Sequence, residues 1–161
     1  MKKIKKIFNW IIKGLILSIF LLICFPHLLF ANKFDYKNFS VYYHSNDINT
    51  EELKLVLDKS ENLLKKSELF KKGTSQDIFI CNGYSEFTFF ALLSRKAFAV
   101  NYPISQNIFI SKSSISQNYI LRNGKENNKR TLSGVIAHET VHSLLENKLG
   151  LLKYKLLPSW K

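Results

Sequence analysis

Apolar positions fall into one unbroken run near the N-terminus and a series of shorter, periodic patterns after it. Residues 14–31 carry no acidic or basic side chain apart from His27. A run of that kind will not stay in water as a surface helix, and it predicts an export signal or a membrane anchor. Further on, Phe39-Ser40-Val41-Tyr42-Tyr43-His44 has the aromatic and β-branched content of a strand. Between residues 49 and 67, Leu53, Val56, Leu57, Leu63 and Leu64 recur at helical spacing, with Asn49 as the cap and Glu52 three residues on. Asp77-Ile78-Phe79-Ile80-Cys81 predicts a second strand between the turn signals Lys72-Gly73-Thr74 and Asn82-Gly83. Phe87, Phe90, Ala91 and Leu93 are spaced for a short helix over residues 85–93, and Phe98-Ala99-Val100 and Asn107-Ile108-Phe109-Ile110-Ser111 predict two more strands. Asn123-Gly124-Lys125-Glu126-Asn127-Asn128 reads as a polar loop. In the last helix Leu132, Val135, Ile136, Val141, Leu144, Leu145 and Leu149 form the apolar stripe, Thr131 or Ser133 the cap and Gly150 the stop. The pattern predicts an α+β domain, a mixed β-sheet packed on helices, over residues 32–161, behind a signal peptide or anchor at residues 1–31.

Charge changes this picture little. The formal net charge is +12, from 24 Lys and Arg against 12 Asp and Glu. Lys2, Lys3, Lys5, Lys6 and Lys13 stand at the start of the chain, where a basic flank belongs to an export signal or to the cytoplasmic end of an anchor. The other lysines are scattered, without arginine-rich blocks or a glycine-aromatic repeat, so nucleic acid is not an expected partner. Leu29-Phe30-Ala31 is an imperfect signal-peptidase site, and a retained anchor with residues 32–161 outside the cytoplasm fits equally. Leu21-Leu22-Ile23-Cys24 lacks the small residue that a lipoprotein box has before its Cys. Cys24 and Cys81 leave no internal disulfide for an exported domain, and without a C-x-x-C there is no zinc knuckle. Hydrophobic residues make up 46% of the chain and aromatic ones 14%, enough for a packed core, which argues against disorder.

One stretch names a chemistry. His138-Glu139-Thr140-Val141-His142 reads H-E-x-x-H, and on a helix imidazoles at i and i+4 project from one face and can reach one zinc ion. Glu139, next to them, is placed to act as general base. His138 and His142 extend the stripe of Val135, Leu145 and Leu149, which predicts that they turn toward the interior. Glu146, four residues beyond His142, is expected at the surface. His44 and Glu126 are further groups able to ligate a metal, on a strand and a loop that the sequence does not place.

Strand, long helix, strand, a pair of aromatic-rich strands and then Arg130-Thr131-Leu132-Ser133-Gly134-Val135-Ile136-Ala137-His138-Glu139-Thr140-Val141-His142 resembles the zincin-type metallopeptidases, in particular the gluzincin branch and its small peptidase-MA-like members. The similarity covers residues 39–161. It implies a zincin-like fold, with His138 and His142 as Zn2+ ligands and Glu139 as general base. It implies an edge strand that lines the cleft and pairs with extended substrate, a role falling to residues 107–111. A third ligand, usually a Glu on the next helix, is implied as well. Leu157-Pro158-Ser159-Trp160-Lys161 resembles the lead-in to that segment, so two of the three protein ligands are expected in this chain. The function implied is hydrolysis of a peptide bond in a peptide or protein substrate by zinc-activated water, with the membrane engaged through the N-terminal segment. A catalytically inactive zincin-like domain used for binding or scaffolding at the membrane is the alternative, and a purely structural role for the two histidines is a third reading.

Overall fold

The computed structural model describes residues 2–44, 48–70, 73, 75–92, 94–102, 104–122 and 125–156. Helix α1, Lys2–Cys24, holds an apolar span from Ile4 to Cys24 with a mean hydropathy of 2.3 and no part of it buried. It is long and apolar enough to be a signal or a membrane anchor. The helix starts earlier than the apolar run because lysine is a good helix former, and it stops where Pro26 forces Phe25 out of the helical region, to φ −124° and ψ 59°. One 3-10 turn, Pro26–Leu29, then carries the chain to Phe30, which is 7% exposed.

Five strands form the main sheet: β1 (Asn32–Tyr36), β2 (Phe39–Tyr43), β3 (Gln76–Ile80), β4 (Ala99–Asn101) and β5 (Ile108–Ile110), in the order β1-β2-β3-β5-β4. Strands β2, β3 and β5 run parallel, and β1 and β4 are antiparallel at the two edges. The sheet is therefore mixed, as expected. β1 was not expected; Asn32-Lys33-Phe34-Asp35-Tyr36 is half polar because an edge strand covered on one face alternates.

The central strands are apolar on both faces, and their alternation splits the core in two. Val41, Ile78, Ile80, Ile108 and Ile110 point to the layer formed by α2 (Thr50–Leu64) and α4 (Leu132–Leu149). Phe79 and Phe109 point the other way, toward α3 (Tyr84–Phe90) and Phe30. There Tyr42 stacks on Phe79 at 4.6 Å, Phe79 on Phe109 at 5.0 Å and Phe109 on Phe90 at 4.4 Å, while Phe30 meets Phe79 edge-on at 5.2 Å. The core thus reaches back past residue 32 into the segment that leaves α1.

Asn49 caps α2 as expected, its side chain accepting from the backbone N–H of Glu51 and Glu52. Leu63, expected on the buried face, is 42% exposed, because Leu64 and Ser60 take the last turn's contact with the sheet. Lys37, in the β1–β2 turn at φ 52°, ties this hairpin to α2 through Asp58 at 2.6 Å and Glu61 at 2.9 Å.

A smaller antiparallel sheet of β6 (Ser113–Ser114), β7 (Tyr119–Arg122) and β8 (Lys125–Thr131) leads into α4. Strand β8 overturns the expected polar loop at residues 123–128; Asn123 and Gly124 lie outside the described residues. Its sequence, Lys-Glu-Asn-Asn-Lys-Arg-Thr, has no apolar alternation because the strand lies on the surface, held in register by β7, where Ile120 and Leu121 are buried. After α4 the chain turns at Gly150, with φ 78°, into a further short helix, α5 (Leu151–Leu156), so the motif helix is not the last element.

Two outcomes follow for the detergent-solubilised chain. Phe30→Ala opens a hole in the aromatic layer and is expected to lower stability by about 3 kcal/mol in urea unfolding; an unchanged midpoint would mean that Phe30 contributes nothing to the domain. Asp58 and Glu61 titrate below their ordinary range because Lys37 hydrogen-bonds both carboxylates. What they contribute is complete above the usual carboxylate range and is lost as pH falls through their lowered values. The stability gap between the wild type and Lys37→Met at about pH 7 should therefore close toward about pH 2; a gap independent of pH would rule the tie out.

Candidate active site

Helix α4 is capped at its N-terminus by a residue from outside the helix and its flanks. Thr131 occupies the N-cap position without a side-chain bond. Asn118, at φ 49°, supplies the cap instead: its Oδ1 accepts from Ser133 N–H at 2.9 Å and its backbone oxygen from Leu132 N–H at 3.1 Å. Leu132, Ser133, Val135, Ile136, Ala137, Thr140, Ser143, Leu144 and Glu146 are its buried residues. Small residues let the helix approach its neighbours, and Thr140 satisfies its hydroxyl on Ile136 O at 2.8 Å.

This choice of face corrects the expected orientation of the histidines. At 3.6 residues per turn, His138 and His142 fall opposite the Ile136–Thr140–Ser143 row. His138 is exposed and His142 half-buried, on a cleft rather than in the core. Thr140 can be buried because its hydroxyl is satisfied on Ile136 O, whereas each buried imidazole would need partners for two ring nitrogens.

The two rings converge. Their Nε2 atoms stand 3.1 Å apart, with ring planes at 88°. Two nitrogens on one tetrahedral zinc, each about 2.0–2.1 Å from it, would be separated by about 3.3 Å, so the pair fits the bite of a single ion. Partial desolvation in the cleft lowers the pKa of both; Arg130 adds to the effect at His138 and His138 adds to it at His142. The shift favours the neutral ring, the form that ligates metal.

Tyr154, which sequence reasoning missed, places its hydroxyl 2.9 Å from His142 Nδ1. An oxygen on the second ring nitrogen is the arrangement that orients a metal-binding imidazole. No sequence spacing announces it, because the turn at Gly150 decides where α5 lands.

Glu139 faces strand β4. Asn101 donates its backbone N–H to the carboxylate, while burial, the larger effect, raises its pKa to about 7. The register explains the contact. Phe98 O accepts from Ser111 N–H and Asn107 O from Tyr102 N–H, so the backbone groups of Val100 also point to β5 and those of Ala99 and Asn101 point out of the sheet. Strand β4, not residues 107–111, is therefore the edge beside the motif: β5 lies between β3 and β4.

The other candidate ligands lie elsewhere. His44 Nε2 sits 2.5 Å from Glu86 Oε1, and its ring stacks on Phe30 on the far side of the sheet. Glu146, expected at the surface, is 6% exposed, and its Oε2 has no partner among the described residues. The Glu126 side chain and residues 157–161 lie outside the described residues. Cys81 is buried, which pushes its thiol pKa up. Among the described residues no three His, Cys, Asp or Glu side chains are gathered to hold a metal ion. No protein-family model matches this chain, and no curated protein or solved structure shows significant similarity to it.

Two cavities border the motif. One of about 170 Å³ is lined by His138, Val141, His142 and Leu145. A larger one, of about 590 Å³, lies between Phe98 and Ala99, the β7–β8 hairpin, and the His138–Glu139 face of α4. Extended chain laid along β4 would pass through it and reach Glu139.

Removing the Tyr154 hydroxyl tests the orientation of His142. In Tyr154→Phe the 15N shifts of the His142 ring are expected to move and its tautomer preference to weaken, with the fold intact by circular dichroism. Unchanged ring shifts would show that Tyr154 does not hold the imidazole.

Proposed function

We propose that the chain is a zinc-dependent metallopeptidase of the zincin type, held at or exported across a membrane by α1, with the domain outside the cytoplasm. The observation that carries this reading is the convergence of His138 and His142 Nε2 at 3.1 Å, with Glu139 set between them and the free edge of β4. The mixed sheet, its antiparallel edge strand and the motif helix beside that strand support the zincin resemblance. The basic start of α1 supports a cytoplasmic N-terminus.

His138 and His142 would hold the zinc ion, Tyr154 fixing the ring of the second. Bound there, zinc would supply a Lewis acid that polarises the scissile carbonyl and makes water more acidic. Ala99 N–H and C=O, together with Asn101 C=O, offer an extended peptide backbone partners on β4. Glu139, with a pKa of about 7, is suited to take a proton from the attacking water and to pass it to the leaving amine nitrogen. Its bond from Asn101 aims the carboxylate at the strand where the substrate would lie.

Zinc content and peptide hydrolysis, measured together on the purified chain in detergent, test the proposal. Glu139→Gln should keep zinc and lose a factor of about 10² to 10⁴ in turnover, whereas His138→Ala should lose the zinc. A wild type without zinc, or His138→Ala with its metal content unchanged, would sink the metal site. Tight zinc without hydrolysis of any peptide would leave a zincin-like binding domain in place of an enzyme.

A further inference from the structure

The cleft beside β4 is basic, and its charges are held in place. Arg130 and Arg122 both lie over the ring of Phe98, with their guanidinium carbons 5.1 Å and 5.7 Å from its centroid. Phe98 is only 9% exposed, so the platform is rigid. Arg122 also donates its Nε–H to Lys96 O, and among the described residues its terminal nitrogens have no hydrogen-bond partner. Arg122 and Arg130 both line the cavity of about 590 Å³ that also borders His138 and Glu139. Among the described residues neither arginine forms an ion pair. An adjoining cavity of about 430 Å³ shares Ala97 and Arg122 and adds Arg95 and Lys96.

We propose that Arg122 and Arg130 form a carboxylate-binding subsite, which makes acidic peptides the substrate class of this cleft. Two guanidinium groups pre-oriented on one aromatic ring repel each other, and a carboxylate placed between them relieves that repulsion and accepts paired N–H bonds. Both arginines are exposed, and their contact with the ring reduces the side-chain entropy lost on binding. The register of β4 sets the distance to the reaction. Asn101 meets Glu139, and Ala99, two residues earlier, borders the arginines, so the acidic group falls about 7 Å, or about two extended residues, from the scissile bond. The subsite rests on the peptidase reading for the chemistry that follows binding, but not for the binding itself.

The test uses the metal-free full chain in detergent and fluorescein-labelled peptides that differ only at one central position, Asp, Asn or Lys, each with a free or an amidated C-terminus. By fluorescence anisotropy the Asp peptide is expected to bind at least about tenfold more tightly than the Asn peptide, and the difference should shrink at high salt. Preference that follows the central residue assigns the carboxylate to a side chain; preference that follows the free C-terminus assigns it to the end of a chain. Arg122→Gln with Arg130→Gln should abolish the preference, and Arg122→Lys with Arg130→Lys, a folded control that keeps the charge, should retain part of it. Equal binding of all the peptides by the wild type, or a preference that survives the double Gln variant, would overturn the proposal. Parallel hydrolysis assays with added zinc separate the two ideas: cleavage without acidic preference refutes the subsite alone, and acidic preference without cleavage refutes the peptidase reading alone.

Discussion

Helix α4 crosses the face of the sheet, and the row of side chains it buries there fixes the position of every other group on it. With Ile136, Thr140 and Ser143 turned to the core, the helical repeat leaves His138 and His142 on the open side and puts Glu139 at the boundary, against β4. A helix rotated by one residue would bury an imidazole and send Glu139 away from the strand. The cap from Asn118 holds that rotation at one end and the side-chain pair Gln106–Asn147 at the other, so the turn between β6 and β7 acts on the site without contributing a reacting group.

The edge strand depends on the same arrangement. β4 runs antiparallel to β5, which turns the backbone groups of Ala99 and Asn101 outward on the side where α4 lies. Asn101 is committed to Glu139, while the backbone of Ala99 opens onto the cavity. A single short strand thus meets Glu139 at one end and borders the larger cavity at the other, and the arginine pair lies over Phe98, just before that strand.

The elements legible in the sequence are those with a buried, periodic face. β2, β3, β5, α2 and α4 carry such faces and lie where residue spacing places them. β1 and β8 do not, because edge and surface strands need no apolar alternation. The His–Glu–His motif was legible for the same reason that it is chemically suggestive, its fixed helical offset, but that offset says nothing about which way the helix rolls. The inward turn expected for the histidines came from extending the Val135–Leu145–Leu149 stripe, and the competition for burial went to the smaller Thr140 and Ser143 instead. Tyr154, Asn101 and the arginine pair reach the site through turns and strand register, which one sequence does not display.

The path out of α1 has its own consequence. Seven residues, 25–31, join the end of the helix to β1, and Phe30 among them is locked into the aromatic layer. With α1 in a bilayer, such a connector spans at most about 25 Å even when drawn straight. It would act as a ruler, confining the groove to a thin shell above the lipid. Chains emerging from the same membrane would meet the groove at high local concentration, while segments held far above the surface would stay beyond its reach.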